Sequence, residues 1–63
     1  MPIIEVKMLE GRTPEQKTRL SRDLTEVAVR VLEVRPEAVR VIIQEIPPAH
    51  WSVGGVSLAE RFP

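Results

Sequence analysis

Apolar and polar residues alternate along the first stretch of the chain, from Ile3 to Leu9. The side chains of Ile4, Val6 and Met8 fall on one side of an extended backbone, and charged residues separate them. This period of two residues is typical of a strand that has one covered face. We therefore predict a first strand over Ile3–Leu9.

The apolar period then lengthens to three or four residues, which predicts a helix. Thr13, Pro14 and Gln16 form its start: threonine caps the first turn, proline suits the first helical position, and glutamine completes a capping box. Arg35-Pro36 ends the helix, because the residue before a proline avoids helical backbone angles. One apolar stripe runs along this helix, made of Leu20, Leu24, Val27, Ala28 and Val31.

A second strand is predicted over Val39–Ile46, where the sequence is VRVIIQEI. Two strands joined by a helix form a βαβ unit, in which the strands are parallel and the crossover is right-handed. We expect the helix to cover the face of the sheet that carries Val39, Val41 and Ile43. The opposite face carries Arg40, Ile42, Gln44 and Ile46. No element of a single protomer covers this face, so we expect Ile42 and Ile46 to be exposed.

The remaining residues predict only short elements. Pro47 and Pro48 interrupt the strand pattern, and the stretch from His50 to Val53 is extended at best. Gly54-Gly55 predicts a turn, and an amphipathic tail follows over Val56–Pro63. Residues 1–63 therefore form a single α/β domain of the α+β type, a βαβ unit with a short C-terminal hairpin or tail.

The size of the chain predicts that one protomer is only marginally stable. Folding 63 residues buries about 6,200 Å² of surface, and the apolar part of this burial stabilises by at most about 93 kcal/mol. Ordering the chain costs about 95 kcal/mol. The sequence has no cysteine and therefore no disulfide. We expect oligomerisation to complete the fold.

Charge and composition exclude several classes of function. Nine basic residues balance nine acidic ones and are interspersed with them, which argues against a nucleic-acid-binding surface. The apolar runs are too short to span a bilayer, and no signal peptide is visible, so we expect a cytoplasmic protein that does not contact membranes. Without cysteine there is no thiolate metal site, and one histidine cannot make a metal cluster, so we expect no metal site and no cofactor.

Pro2 is the first candidate for chemistry. A proline at a strand start is ordinary, because it gives no amide donor to a sheet. Removal of Met1 would make the Pro2 nitrogen a secondary amine. A free α-amino group has a pKa of about 7.7–8.0, and an apolar pocket or a nearby cation lowers the pKa of an amine. Such an amine is neutral at pH 7 and can act as a general base.

Two arginines and the single tryptophan are further candidates. Arg40 lies within an apolar strand, where a guanidinium is costly unless it is paired. It is either an interface residue that pairs with a carboxylate, or a fork for a substrate carboxylate or oxyanion. Arg12 follows the turn at Gly11 and precedes the helix cap. Trp51 suits a core or interface position as well as a binding site.

Three stretches of the chain, PIIEVKMLEGRTPEQK, VRVIIQE and HWSVGG, resemble the 4-oxalocrotonate tautomerase family in order and spacing. The resemblance covers nearly the whole chain, and LEGRTPEQK after a strand headed by proline is its most specific part. Members of this family are βαβ protomers whose dimers build hexamers. The resemblance therefore implies a homohexamer composed of three dimers.

The resemblance also implies roles for five residues. Pro2 would be the base that moves a proton between carbons of an unsaturated 2-oxo acid, or converts its dienol, a 2-hydroxymuconate-like compound, to the ketone. Arg12 would hold the distal carboxylate. Arg40 of a neighbouring subunit would bind the near carboxylate and the 2-oxo oxygen. The backbone of Leu9 would bind a substrate oxygen, and Trp51 would wall the pocket.

Some alternatives stay open at this point. The family position of Trp51 more often holds a smaller aromatic residue, so the native substrate is undetermined. A related activity, dehalogenation of haloacrylates, is disfavoured, because the related dehalogenases have an acid at the position of Val53 and an arginine at that of Leu9. A non-catalytic oligomeric scaffold would be favoured if Met1 is retained, since the Pro2 nitrogen would then be an amide.

Overall fold

Two parallel strands and the helix between them form the main unit of the protein. The computed structural model describes residues 1–62 and has strands β1 (Ile3–Leu9) and β2 (Arg40–Ile46), with helix α1 (Pro14–Leu32) between them. The strands pair in parallel, from Ile3 opposite Arg40 to Leu9 opposite Ile46. The predicted βαβ unit is confirmed.

The start of α1 follows the predicted capping box. The hydroxyl of Thr13 accepts a hydrogen bond from the Gln16 amide at 3.1 Å, and the Gln16 side chain accepts one from the Thr13 amide at 3.0 Å. The helix ends at Leu32, earlier than predicted. Glu33 adopts a left-handed conformation (φ 53°, ψ 48°) that closes the last turn before the chain reaches the proline.

A short 3₁₀ turn over Pro36–Ala38 connects α1 to β2. The Val39 amide donates to the Pro36 carbonyl at 3.1 Å within this turn. Val39 is therefore part of the turn, and β2 begins one residue later than the sequence pattern predicts.

The sheet covers only part of the helical stripe. Ala28 is the one residue within 1–62 that is classed as buried, and Leu20 and Leu24 are half-buried. Val27 and Val31, which the stripe also included, are 46% and 65% exposed. Strands about 4.8 Å apart make a two-stranded sheet that is narrower than a helix of about 10–12 Å, so the flank and the end of the stripe stay uncovered.

An ion pair connects the start of α1 to the end of β2. The Lys17 ammonium lies 2.7 Å from a Glu45 carboxylate oxygen, and both side chains are about one-third exposed or less (27% and 33%). Glu45 thus occupies the helix-facing side of β2. Because the pair is partly shielded from water, it holds the helix in register with the sheet more firmly than a fully exposed pair would.

The opposite side of the sheet, which we call the outer face, is left largely uncovered by residues 1–62. Its apolar members Ile3 and Ile42 are 60% and 51% exposed, as expected for a protomer with one covered face. Ile46 was expected to be exposed but is half-buried. It lies at the end of β2, where its carbonyl also accepts a hydrogen bond from the Glu10 amide at 3.1 Å.

The C-terminal residues form a small hairpin and a helical turn. A 3₁₀ turn over Pro48–His50 leads to strands β3 (Ser52–Val53) and β4 (Val56–Ser57), which pair antiparallel, and then to helix α2 (Leu58–Arg61). Gly54 and Gly55 turn the hairpin with φ of 62° and 82°, a region that favours glycine. The predicted turn is confirmed, and the last residue of the predicted tail, Pro63, lies outside the described residues.

Hydrogen bonds tie this C-terminal segment together. The Leu58 amide donates to the Trp51 carbonyl at 2.8 Å, and the Arg61 guanidinium donates to the Val53 carbonyl at 3.1 Å. Among residues 1–62, neither helix is both long enough and apolar enough to cross a bilayer.

Candidate active site

Pro2 and Arg40 are neighbours at the start of the sheet. The Arg40 amide donates to the Pro2 carbonyl at 3.0 Å, which is the first bond of the parallel ladder. Pro2 is half-buried, whereas Met1 before it is 75% exposed. The pairing brings the backbone of Arg40 to the proline of the same protomer, whereas the resemblance implies the Arg40 of a neighbouring subunit.

The Arg40 side chain is anchored through one of its nitrogens. Its Nη1 donates to the Glu37 carbonyl at 2.6 Å, so the turn before β2 holds the guanidinium. Within residues 1–62, no carboxylate lies within 4.0 Å of that guanidinium. The remaining donors of Arg40 are available to an anion, which favours the anion fork over an ion pair inside one protomer.

A cavity of about 490 Å³ lies at the other end of β1. It brings together three of the residues proposed from the sequence, Leu9, Arg12 and Trp51. Gly11 makes the turn between strand and helix with φ of 121°, a conformation that a side chain would strain. The complete lining is Lys7, Met8, Leu9, Glu10, Gly11, Arg12 and Trp51.

The backbone of Leu9 points away from β2. Just before and just after β1, the Pro2 carbonyl and the Glu10 amide form hydrogen bonds to the backbone of β2. In a parallel pair every second residue bonds to a given neighbour, so the even-numbered residues of β1 face β2. The amide and carbonyl of Leu9 therefore point to the free edge of β1, on the side away from β2, where a ligand or another strand can reach them.

One protomer does not bring all five candidates together. Pro2 and Arg40 lie at the end of the sheet where both strands begin, while Leu9, Arg12 and Trp51 lie at the other end. A strand rises about 3.3 Å per residue, so about 20 Å of strand separates the two groups. Small ligands cannot reach across this distance within a single protomer.

The sequence analysis did not single out three residues of this cavity, Lys7, Met8 and Glu10. The strand pattern by itself places Lys7 only on the polar side of β1. Its position two residues before Leu9 is the signal that could have placed it here, since residues i and i+2 share a face of a strand. A second cavity, of about 560 Å³, contains none of the five candidates and is lined by Ser21, Arg22, Thr25, Glu26, Val29, Arg30 and Pro36.

Comparison with known proteins decides the family. The family model for tautomerase enzymes matches residues 2–61, which is nearly the whole chain. The chain belongs to the tautomerase family. This confirms the resemblance inferred from the sequence motifs and makes the protein a member of a family of isomerases.

Similar proteins within the family span most of this chain. A probable tautomerase of Ralstonia nicotianae, RSp0893, is 55% identical over 56 residues, which are 89% of this chain and 80% of that one. A 2-hydroxymuconate tautomerase of Stutzerimonas stutzeri is 46% identical over 57 residues, 90% of each chain. A solved heterohexamer 4-oxalocrotonate tautomerase from Chloroflexus aurantiacus has a TM-score of 0.87 at 50% identity, covering 95% of this chain and 97% of that one.

Proposed function

We propose that this member of the family moves a proton in unsaturated 2-oxo acids, or converts their dienols of the 2-hydroxymuconate type to ketones, with Pro2 as the general base. The observation that carries the proposal is the 3.0 Å bond between the Arg40 amide and the Pro2 carbonyl. This bond joins the backbones of the two residues, and among residues 1–62 the Arg40 guanidinium has no carboxylate within 4.0 Å. The 2-hydroxymuconate tautomerase of Stutzerimonas stutzeri, at 46% identity, supports the substrate class.

The proposed reaction requires that Met1 has first been removed, so that Pro2 has a free amine. Met1 is 75% exposed, which leaves it accessible to an aminopeptidase. The neutral Pro2 amine then accepts the proton of the dienol hydroxyl and becomes a cation. The electron pair of that O–H bond forms the ketone, and the double bonds shift along the conjugated chain. The chain carbon that gains electron density takes a proton back from Pro2, which regenerates the neutral base.

The two arginines would act at different points of the substrate. Charge that develops on the 2-oxo oxygen would be stabilised by Arg40, which the Glu37 carbonyl holds in place at 2.6 Å. Arg12 would bind the distal carboxylate with its planar fork. The backbone of Leu9 would bind a substrate oxygen, and Trp51 would exclude water from the cavity they share.

Because the two groups lie at opposite ends of β1, the proposed site needs more than one copy of the chain. We propose a homohexamer in which the cavity end of one protomer meets the Pro2 end of another. The exposed Ile3 and Ile42 of the outer face support such an assembly. The solved heterohexamer from Chloroflexus aurantiacus, at 50% identity, supports the number of subunits.

The test is an ultraviolet assay of proton transfer in 2-hydroxymuconate and in phenylenolpyruvate, with the intact mass of the same sample measured in parallel. We expect a sample without Met1 to convert 2-hydroxymuconate. The rate with phenylenolpyruvate, compared with that rate, reports how large a substrate the cavity beside Trp51 accepts. A sample that retains Met1 should fold and be nearly inactive. Full activity with Met1 still attached would rule out Pro2 as the base.

A further inference from the structure

Lys7 lines the same cavity as Arg12 and Trp51, although the proposed reaction gives it no role. Its strand position puts it on the outer face with Leu9, two residues away. The chain has one other lysine, Lys17, which is paired with Glu45 at 2.7 Å. By contrast, no carboxylate of residues 1–62 lies within 4.0 Å of the Lys7 ammonium.

The charges around this cavity leave it cationic. Lys7 and Arg12 contribute two positive charges, and Glu10 contributes the single negative charge of the lining. Over the described part of the chain, Glu10 forms no ion pair with either cation. Two cations that are not directly neutralised, in one cavity beside an aromatic ring, attract an anionic group and raise its local concentration.

We infer that Lys7 is a specificity-determining residue, which contacts the distal carboxylate of a dicarboxylate ligand together with Arg12. Arginine supplies a planar fork of fixed geometry, whereas lysine supplies a flexible point charge that adjusts to the length of the ligand. A ligand with one carboxylate, bound near Arg40, gains nothing from Lys7. The inference rests on the proposed function for the reaction, but the binding preference can be measured without catalysis.

The binding test uses the fluorescence of Trp51, the only tryptophan of a chain without tyrosine. The probes are muconate, an unreactive dicarboxylate, and 2,4-hexadienoate, which has the same conjugated chain and one carboxylate. We expect Lys7→Gln to raise the Kd of muconate about threefold to fivefold, the scale of one partly exposed ion pair. The Kd of 2,4-hexadienoate should stay unchanged. Lys7→Arg keeps the positive charge but not the flexible point-charge geometry, so it should bind muconate more tightly than Lys7→Gln does.

The matched control is Arg22→Gln, which removes one positive charge from an exposed helix position outside this cavity. It should leave the Kd of muconate unchanged, which separates a local contact from a change in net charge. The effect of Lys7→Gln should also shrink as salt is raised, because screening weakens exposed charge pairs. A loss of affinity equal for both probes, no loss, or no binding of muconate to the wild type would overturn the inference.

The kinetic test separates this inference from the proposed function. With 2-hydroxymuconate, Lys7→Gln should act on KM more than on kcat, because the distal carboxylate is bound equally in the ground and transition states. If the wild type converts no dienol but Lys7→Gln weakens muconate binding, the proposed function fails and the inference stands. If the wild type is active and Lys7→Gln binds muconate normally, the inference alone fails.

Discussion

Arg12 and Arg40 have the same side chain in different settings. Arg40 lies within the ladder beside Pro2, with its guanidinium held by the Glu37 carbonyl. Arg12 follows the Gly11 turn and lines the cavity at the far end of the strand. In the proposed reaction, the first arginine would stabilise charge that develops during the reaction, and the second would bind a charge that is present throughout.

This difference predicts separate kinetic effects. Arg40→Ala should lower kcat about 10²-fold, the scale of one oxyanion donor. Arg12→Ala should mainly raise KM, because it removes binding that substrate and transition state share. Steady-state kinetics with 2-hydroxymuconate checks both, with the exposed helix residue Arg19→Ala as the control. Changes of the same size and kind in the two site variants would contradict the roles assigned here.

The proposed role of Pro2 predicts a pH dependence. A base must be neutral, so kcat/KM should rise with pH along a limb whose midpoint is the pKa of the Pro2 amine in the free enzyme. In the proposed assembled site, desolvation and a nearby Arg12 or Arg40 cation would both disfavour the protonated amine, so this pKa should lie below the roughly 7.7–8.0 of a free α-amino group. Activity should therefore be lost as the pH falls through that midpoint.

Pro2→Ala is the informative variant for this profile. It retains a primary amine after removal of Met1, so part of the activity should remain, with a shifted limb and less rigid placement of the base. An unchanged ascending limb in Pro2→Ala would assign the limb to another group. The intact mass of each sample is needed beside its pH-rate profile, since only chains without Met1 have the free amine.

At the scale of elements, the start of α1 contributes to the stability of the fold and lies next to the candidate site. The capping box joins Thr13 and Gln16 through two hydrogen bonds of 3.1 and 3.0 Å, directly after Arg12. Thr13→Ala should lower the free energy of unfolding by about 1 kcal/mol, because it leaves a first-turn amide without its acceptor. Urea unfolding at fixed protein concentration measures the change.

The control for the cap is Thr18→Ala, at an exposed position within the same helix. It removes the same atoms without touching a helix end, and it should leave stability equal or slightly higher, because alanine favours helices. If Thr13→Ala and Thr18→Ala unfold alike, the hydrogen bonds of the box contribute nothing measurable.

At the scale of the whole molecule, the protomer exposes more surface than its length predicts. The accessible surface is 5,027 Å², against about 4,100 Å² expected for a compact chain of this size. The radius of gyration is 14.9 Å, against about 11 Å expected. This open shape and the single buried residue within 1–62, Ala28, favour a fold that is completed by other copies.

The outer face predicts how the assembly can be broken. Ile42 is 51% exposed in the protomer, and in the proposed hexamer it would lie in an apolar contact. Ile42→Lys should dissociate the hexamer, because it would bury an unpaired charge there. Sedimentation velocity checks the change, with Thr18→Lys as the control on the exposed side of α1. A wild type that sediments as a stable folded monomer at micromolar concentration would contradict the assembly.

The local elements of this protein follow from its sequence alone. Alternation defines β1, the capping box defines the start of α1, and two glycines define the hairpin turn, because each depends on residues that are close along the chain. The family is also evident from short motifs. The end of α1 was misplaced because a glutamate, Glu33, takes the left-handed conformation that usually signals itself through glycine.

The tertiary structure decided what depends on distant parts of the chain. The width of a two-stranded sheet decided that Val27 and Val31 stay exposed, although their spacing matched the stripe. The path of the chain after β2 brought Trp51 to Arg12 and Lys7, and it left Pro2 at the opposite end of the strand. Periodicity specifies which face a residue occupies, but only packing in three dimensions determines what lies against that face.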